Sequence, residues 1–128
     1  MKRFNYQKGR AGEKIASDYL KKKGYQIIEA NFQNRFGEID LIASRTQNTS
    51  KALVFIEVKL RIGRDLGLPE EMITPGKIRQ IKRMAEIFLQ NNPKLKAIYP
   101  QQRLDAVCIV LDQDKKVEEI RHYENLDI

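Results

Sequence analysis

Two carboxylates and a lysine stand at spacings that bring them together if the segments Glu38–Ala43 and Ala52–Leu60 pair as an antiparallel hairpin. In the register that centres the turn between Asn48 and Thr49, Ile39 meets Val58, Leu41 meets Ile56 and Ala43 meets Val54, a wholly apolar face. The opposite face pairs Ile42 with Phe55, Asp40 with Glu57 and Glu38 with Lys59. A slip of one residue would drive charges into the core, so the apolar face specifies this register. Asp40 and Glu57 then become direct cross-strand neighbours, where like charges destabilise a sheet. A proton on one carboxylate, a cationic side chain between them, or a shared divalent metal would relieve the repulsion. Two converging carboxylates suit Mg²⁺ or Mn²⁺, which take hard oxygen ligands, keep several waters and accept phosphate oxygens. Lys59 follows Glu57 by two residues on the same face. Its ammonium could orient a metal-bound water or offset charge on a phosphorane-like transition state. The plainer alternative is a surface patch in which Lys59 simply neutralises the acids.

Such a hairpin needs a scaffold. Ile15, Ala16, Tyr19 and Leu20 recur at helical spacing, and Gly24 ends that helix. Strands are predicted over Tyr25–Asn31, Glu38–Ala43 and Ala52–Leu60, with the polar stretch Ser44–Lys51 between the last two. The segment from Ile62 to Gly76, rich in Gly and Pro, reads as a long mobile loop. Thr74 and Pro75 then start a second helix as N-cap and first helical residue. Its apolar stripe is Ile78, Ile81, Met84, Ala85, Phe88 and Leu89, and its opposite face carries Lys77, Arg79, Lys82 and Arg83. The apolar run Leu104–Leu111 reads as an interior strand, and Lys116–Tyr123 as a last edge strand. This order predicts an α/β fold with a mixed sheet and helices packed against it.

The chain has 128 residues, one domain's worth spanning 1–128, with 41% hydrophobic and 32% charged residues. Its longest apolar run, Ala106–Leu111, is far too short to span a bilayer, and the charged start leads into no apolar segment of the secretory kind. A cytoplasmic protein is expected. The single cysteine, Cys108, permits no intrachain disulfide and is expected in the core. The balance of 24 basic against 17 acidic residues, +7, is uneven. Met1–Gly24 holds eight basic and two acidic residues and Lys77–Lys96 six and one, whereas Leu104–Ile128 holds three and seven. A positive side of this kind suits a polyanion such as DNA or RNA, although lysine-rich helix faces are often only solvated. His122, the one histidine, sits among charged residues and is expected at the surface. Asp105 is read as a partner of Arg103, without chemistry of its own.

The elements Gly37-Glu38-Ile39-Asp40 and Glu57-Val58-Lys59 resemble the PD-(D/E)xK signature of restriction-endonuclease-like nucleases, with Ile39 in place of the proline. Gly9-Arg10-x-Gly12-Glu13, Asn31 with Arg35, and Thr74-Pro-Gly-Lys77 extend the resemblance to the YraN family of bacterial proteins, which is similar in pattern to archaeal Holliday-junction resolvases. The resemblance implies a restriction-endonuclease-like domain with a mixed central sheet of about five strands flanked by helices. It implies that Asp40 and Glu57 are metal ligands and Lys59 the catalytic lysine, that Glu13 on the first helix completes the acidic site, and that the carbonyl of Val58 joins the ligands. Arg10, Arg35, Arg61, Lys77, Arg79, Lys82 and Arg83 are the candidates for phosphate contact. The expected activity is metal-dependent hydrolysis of DNA, branched DNA included, with Mg²⁺ or Mn²⁺ as cofactor and a homodimer by analogy. A non-catalytic nucleic-acid-binding module that kept the geometry, or a protein-interaction adaptor, are the alternatives.

Overall fold

The computed structural model describes residues 2–63 and 67–126, with side chains from Arg10 onward. Helix α1 (Lys2–Lys22) ends in a pair of hydrogen bonds that only a left-handed residue allows: Gly24 N–H donates to Lys21 O and Tyr25 N–H to Leu20 O. Gly24 supplies that conformation with φ +92°, and Tyr25 and Leu20 are buried together just beyond it. Strands β1 (Gln26–Asn34), β2 (Gly37–Gln47) and β3 (Ser50–Ile62) follow as an antiparallel meander. Helix α2 (Pro75–Asn91) begins as expected, with Thr74 Oγ1 accepting from Lys77 N–H at 3.2 Å and Pro75 at its first position. It carries the chain to β4 (Gln101–Leu111), parallel to β3, and β5 (Val117–Tyr123) closes the edge antiparallel to β4.

The result is a five-stranded mixed sheet in the order β1-β2-β3-β4-β5, flanked by helices as anticipated. Each face buries a separate core. Ala16 and Leu20 of α1 cover Leu41, Ala43, Val54, Ile56, Val107 and Ile109 on one side. Ile81, Met84, Phe88 and Leu89 of α2 cover Ile42, Leu53, Phe55 and Leu104 on the other. The doubly covered strands explain why β3 and β4 read as nearly continuous apolar runs. Among the described residues no helix is long and apolar enough to cross a membrane.

Three expectations about elements are corrected. The polar stretch Ser44–Lys51 is no separate loop: pairing continues through Arg45–Ala52 and Gln47–Ser50 to a two-residue turn at Asn48–Thr49, because an exposed ladder satisfies backbone groups whatever its side chains. The segment Ile62–Gly76 is not one long loop. Ile62 belongs to β3, and Pro69–Met72 forms a 3-10 turn (η1) tied to β5, where Arg121 Nη2 donates to Glu70 Oε1 at 2.9 Å and Tyr123 Oη to Glu70 Oε2 at 2.7 Å. The stretch 64–66 lies outside the described residues. A short helix, α3 (Pro93–Ile98), also precedes β4 where none was expected, started by the proline that ended α2.

Candidate active site

The expected register holds from Gln47↔Ser50 down to Leu41↔Ile56, and there the β2–β3 ladder stops. Asp40 is the next residue. Instead of standing in a regular pair with Glu57, its Oδ2 accepts the Val58 N–H at 2.7 Å, so a side chain replaces the backbone acceptor the ladder would have supplied. On the other flank, β1 pairs with β2 at Ala30↔Leu41 and Phe32↔Ile39 but not at the position between, where Asn31 adopts φ +57°. The pleat turns over across this irregularity. Leu41 faces α1, whereas Ile39 lies in the core under α2, although residues two apart in a regular strand share a face. The expectation that Ile39, Leu41 and Ala43 line one face is therefore corrected, and so is a regular cross-strand pair of Asp40 with Glu57.

The turned strand brings Glu38 and Asp40 to Glu13 of α1. One carboxylate oxygen from each of Glu13, Glu38 and Asp40 lies within 4.8 Å of the others, with all three residues partly buried. Burial foremost, and then the negative charge of Glu57, push the Asp40 carboxyl up to about 7 despite the Val58 hydrogen bond. Burial also raises Glu13, against a hydrogen bond from Asn31, and Glu38 adds repulsion. Three carboxyls this close, two of them reluctant to ionise, form a site that a cation would complete. Their hard carboxylate oxygens are the donors that Mg²⁺ or Mn²⁺ would take.

Glu57 belongs to the other layer. It is 2% exposed, with Oε1 3.1 Å from Lys59 Nζ and 3.9 Å from Lys77 Nζ, while its buried Oε2 has no hydrogen-bond partner. A buried carboxylate with one oxygen unpaired is costly, so this oxygen is a further candidate donor to a cation. Of the expected ligands, then, the structure groups Glu13 with Asp40 and seats Glu57 with Lys59 beside them. The Val58 N–H also contacts the site, through Asp40. Glu38, which the hairpin register places opposite Lys59, joins Glu13 and Asp40 although it was not among the expected ligands. Its alternation with Asp40 was the available signal.

The basic candidates are dispersed. Arg10 is exposed near Glu13, and Lys77 turns to Glu57. Arg35 and Arg83 both lie over the ring of Phe36, Arg79 is exposed, and Lys82 lines a cavity of about 410 Å³ between α2 and the C-terminal end of the chain. The Nε of Arg61 is enclosed without a partner.

Two residues expected to be inert form a second polar centre. The His122 side chain is only 3% exposed, which corrects its assignment to the surface, and its Nε2 lies 2.7 Å from Asp105 Oδ2. Asp105 also accepts from Arg103 Nε and Nη2 and from Asn125 N–H, each at 2.9 Å. Burial alone would raise the Asp105 carboxyl, but the bonds from His122, Arg103 and Asn125 hold it below its usual value. The signal for His122 was its place two residues after Ile120, which faces the α1 core. Cys108 is buried, as expected.

The chain matches the family model described as Uncharacterised protein family UPF0102 over residues 12–109. A UPF0102 protein of Syntrophomonas wolfei is 39% identical over 122 residues, covering 95% of this chain and 98% of that protein. A UPF0102 protein of Caldanaerobacter subterraneus is 38% identical over 127 residues, 98% of both chains. One from Thermodesulfovibrio yellowstonii is 41% identical over 117 residues, 91% of this chain and 92% of the relative.

Proposed function

The chain belongs to Uncharacterised protein family UPF0102, the YraN family that its motifs resemble, and on that premise we propose that it is a metal-dependent nuclease hydrolysing phosphodiester bonds in DNA. The observation that carries this reading is the trio Glu13, Glu38 and Asp40, gathered by a break in the β2–β3 ladder beside the buried Glu57–Lys59 pair. Glu13, Glu38, Asp40 and the free oxygen of Glu57 would hold Mg²⁺ or Mn²⁺. Such an ion, when bound, polarises a phosphoryl oxygen and lowers the pKa of its water. Asp40, whose carboxyl is pushed up to about 7, would be a ligand in its ionised form, with the Val58 N–H fixing its orientation. Lys59, held by Glu57, presents an ammonium where charge develops on the phosphate. Arg10, Arg35, Arg79 and Arg83 supply positive charge for the backbone of a DNA that includes branched forms among its candidates.

Purified protein incubated with linear, flapped and four-way DNA is expected to nick at least one of them with Mg²⁺ or Mn²⁺ and none with chelator. Glu57→Ala and Lys59→Ala are each expected to abolish nicking while the circular dichroism spectrum is kept. Cleavage that survives both changes refutes the assignment.

A second reading is favoured by the enclosure of Glu57 between two ammonium groups, a charge balance complete without metal. It makes the protein a nucleic-acid-binding module that retains the site but performs no hydrolysis. Salt-sensitive DNA binding with no cleavage under any divalent metal distinguishes it.

A further inference from the structure

We propose that Phe36, with the guanidinium groups of Arg35 and Arg83 over its ring, is a stacking site for an unpaired base, which makes DNA with a single-stranded portion the preferred ligand of the site. This rests on the nucleic-acid reading above and adds to it a residue and a substrate feature.

Phe36 occupies the two-residue turn between β1 and β2, and it is 36% exposed. An aromatic ring left about a third exposed at a turn gives up part of the burial that ordinarily stabilises it. The turn is nonetheless rigidly placed. Phe36 N–H donates to Asn34 Oδ1 at 2.8 Å, and Gln80 Nε2 of α2 donates to Phe36 O at 2.6 Å. The next residue, Gly37, lies so close to Gln80 and Met84 that a Cβ would stand 3.1 Å from the Met84 sulfur. The ring is thus held on a fixed backbone rather than on a mobile tip.

Its surroundings define the ligand. The guanidinium carbons of Arg35 and Arg83 lie 4.9 and 4.6 Å from the ring centroid, and both arginines are exposed. Because both guanidinium groups lie over the ring, a base stacks on the outer plane of one of them, or on the ring itself once that arginine turns to a neighbouring phosphate. In duplex DNA the base faces are already stacked on one another, so only an unpaired nucleotide can use the ring. The location agrees: Glu38, two residues beyond Phe36, is a member of the carboxylate trio. A strand whose unpaired base rests on Phe36 has its backbone led to the acidic site.

The test compares binding of the full chain, in chelator so that nothing is cut, to a blunt duplex and to the same duplex with an oligothymidine tail, by fluorescence anisotropy. Wild type is expected to prefer the tailed DNA. Phe36→Leu is expected to cut that preference about tenfold, the worth of one base stack, and Phe36→Trp to keep it. Arg83→Ala should weaken binding to both DNAs alike. Thermal unfolding of Phe36→Leu checks that the turn still forms. Equal affinity of wild type for both DNAs, or an undiminished preference in Phe36→Leu, overturns the stacking site. Tail preference without cleavage in Mg²⁺ or Mn²⁺ leaves it standing and ends the nuclease reading, whereas cleavage without tail preference does the reverse. A wild type that binds neither DNA overturns both.

Discussion

Asp40 holds its carboxyl proton to about 7, whereas in the unfolded chain it would lose it near the ordinary aspartate value of 3.8. A carboxyl raised on folding favours the native state below its unfolded pKa, and that contribution is lost as pH rises through its folded value. Stability should therefore decline between roughly pH 4 and pH 7 on account of this residue. Asp40→Asn keeps an oxygen for the Val58 N–H and removes the charge. It is expected to raise the melting temperature by a few degrees at pH 8 and leave it nearly unchanged at pH 4, measured without divalent metal. A variant no more stable than wild type at pH 8 would show that the folded site tolerates the charge. The residue's importance was readable from the sequence, through the like-charge conflict with Glu57. Its actual partners were not, because they depend on Asn31 entering the left-handed region and turning Ile39 to the far face. No periodicity in the strand announces such a turn, and Glu38 was passed over because the hairpin register pairs it with Lys59.

Elements were easier to read where one face of each was apolar. The Thr74-Pro75 start of α2, its stripe toward the sheet and the register of the β2–β3 hairpin all follow from burial patterns within single segments. What escaped were features fixed by pairs distant in the chain. Glu70 is tied to Arg121 and so converts the expected loop into a docked turn, and Asp105 draws His122 out of solvent. The β1–β2 turn shows how such contacts can be tested. Gly37 has φ +148° and packs on Gln80 and Met84, so Gly37→Ala combines backbone strain with a clash. A loss of roughly 1 to 3 kcal/mol in denaturant unfolding is expected. The same variant should weaken binding of tailed DNA more than of blunt duplex, since it displaces Phe36. Asp105→Asn acts instead on β4 and β5, where it leaves Arg103 with its buried charge partner removed. It should cost about 3 kcal/mol, and because the Asp105 carboxyl is held below its ordinary value of 3.8, this cost should be fully present at neutral pH and begin to shrink only as pH falls past that value toward the lower folded one.

At the scale of the whole molecule, the sheet separates two cores that have no residue in common among those described, and the candidate site is where the layers meet. Glu13 reaches it from α1, Glu38 and Asp40 from the interrupted strand, and Lys77 touches Glu57 from the first turn of α2. An ion held there would join both helical layers to the end of the sheet, so its binding energy would add to the stability of the entire fold and not only of a loop. For a ligand that binds only the folded state, saturation to about a hundred times its dissociation constant adds about 2.7 kcal/mol. Mg²⁺ or Mn²⁺ is thus expected to raise the melting temperature by several degrees in one cooperative transition, with Ca²⁺ and monovalent salt at matched ionic strength as the comparison. Glu13→Gln should reduce the shift, although Glu13 lies on a different element from Asp40, and Glu13→Gln with Asp40→Asn should abolish it. A metal-induced shift that persists in the double variant would locate the ion elsewhere, with Asp105, His122 and Glu124 as the other described group of suitable spacing.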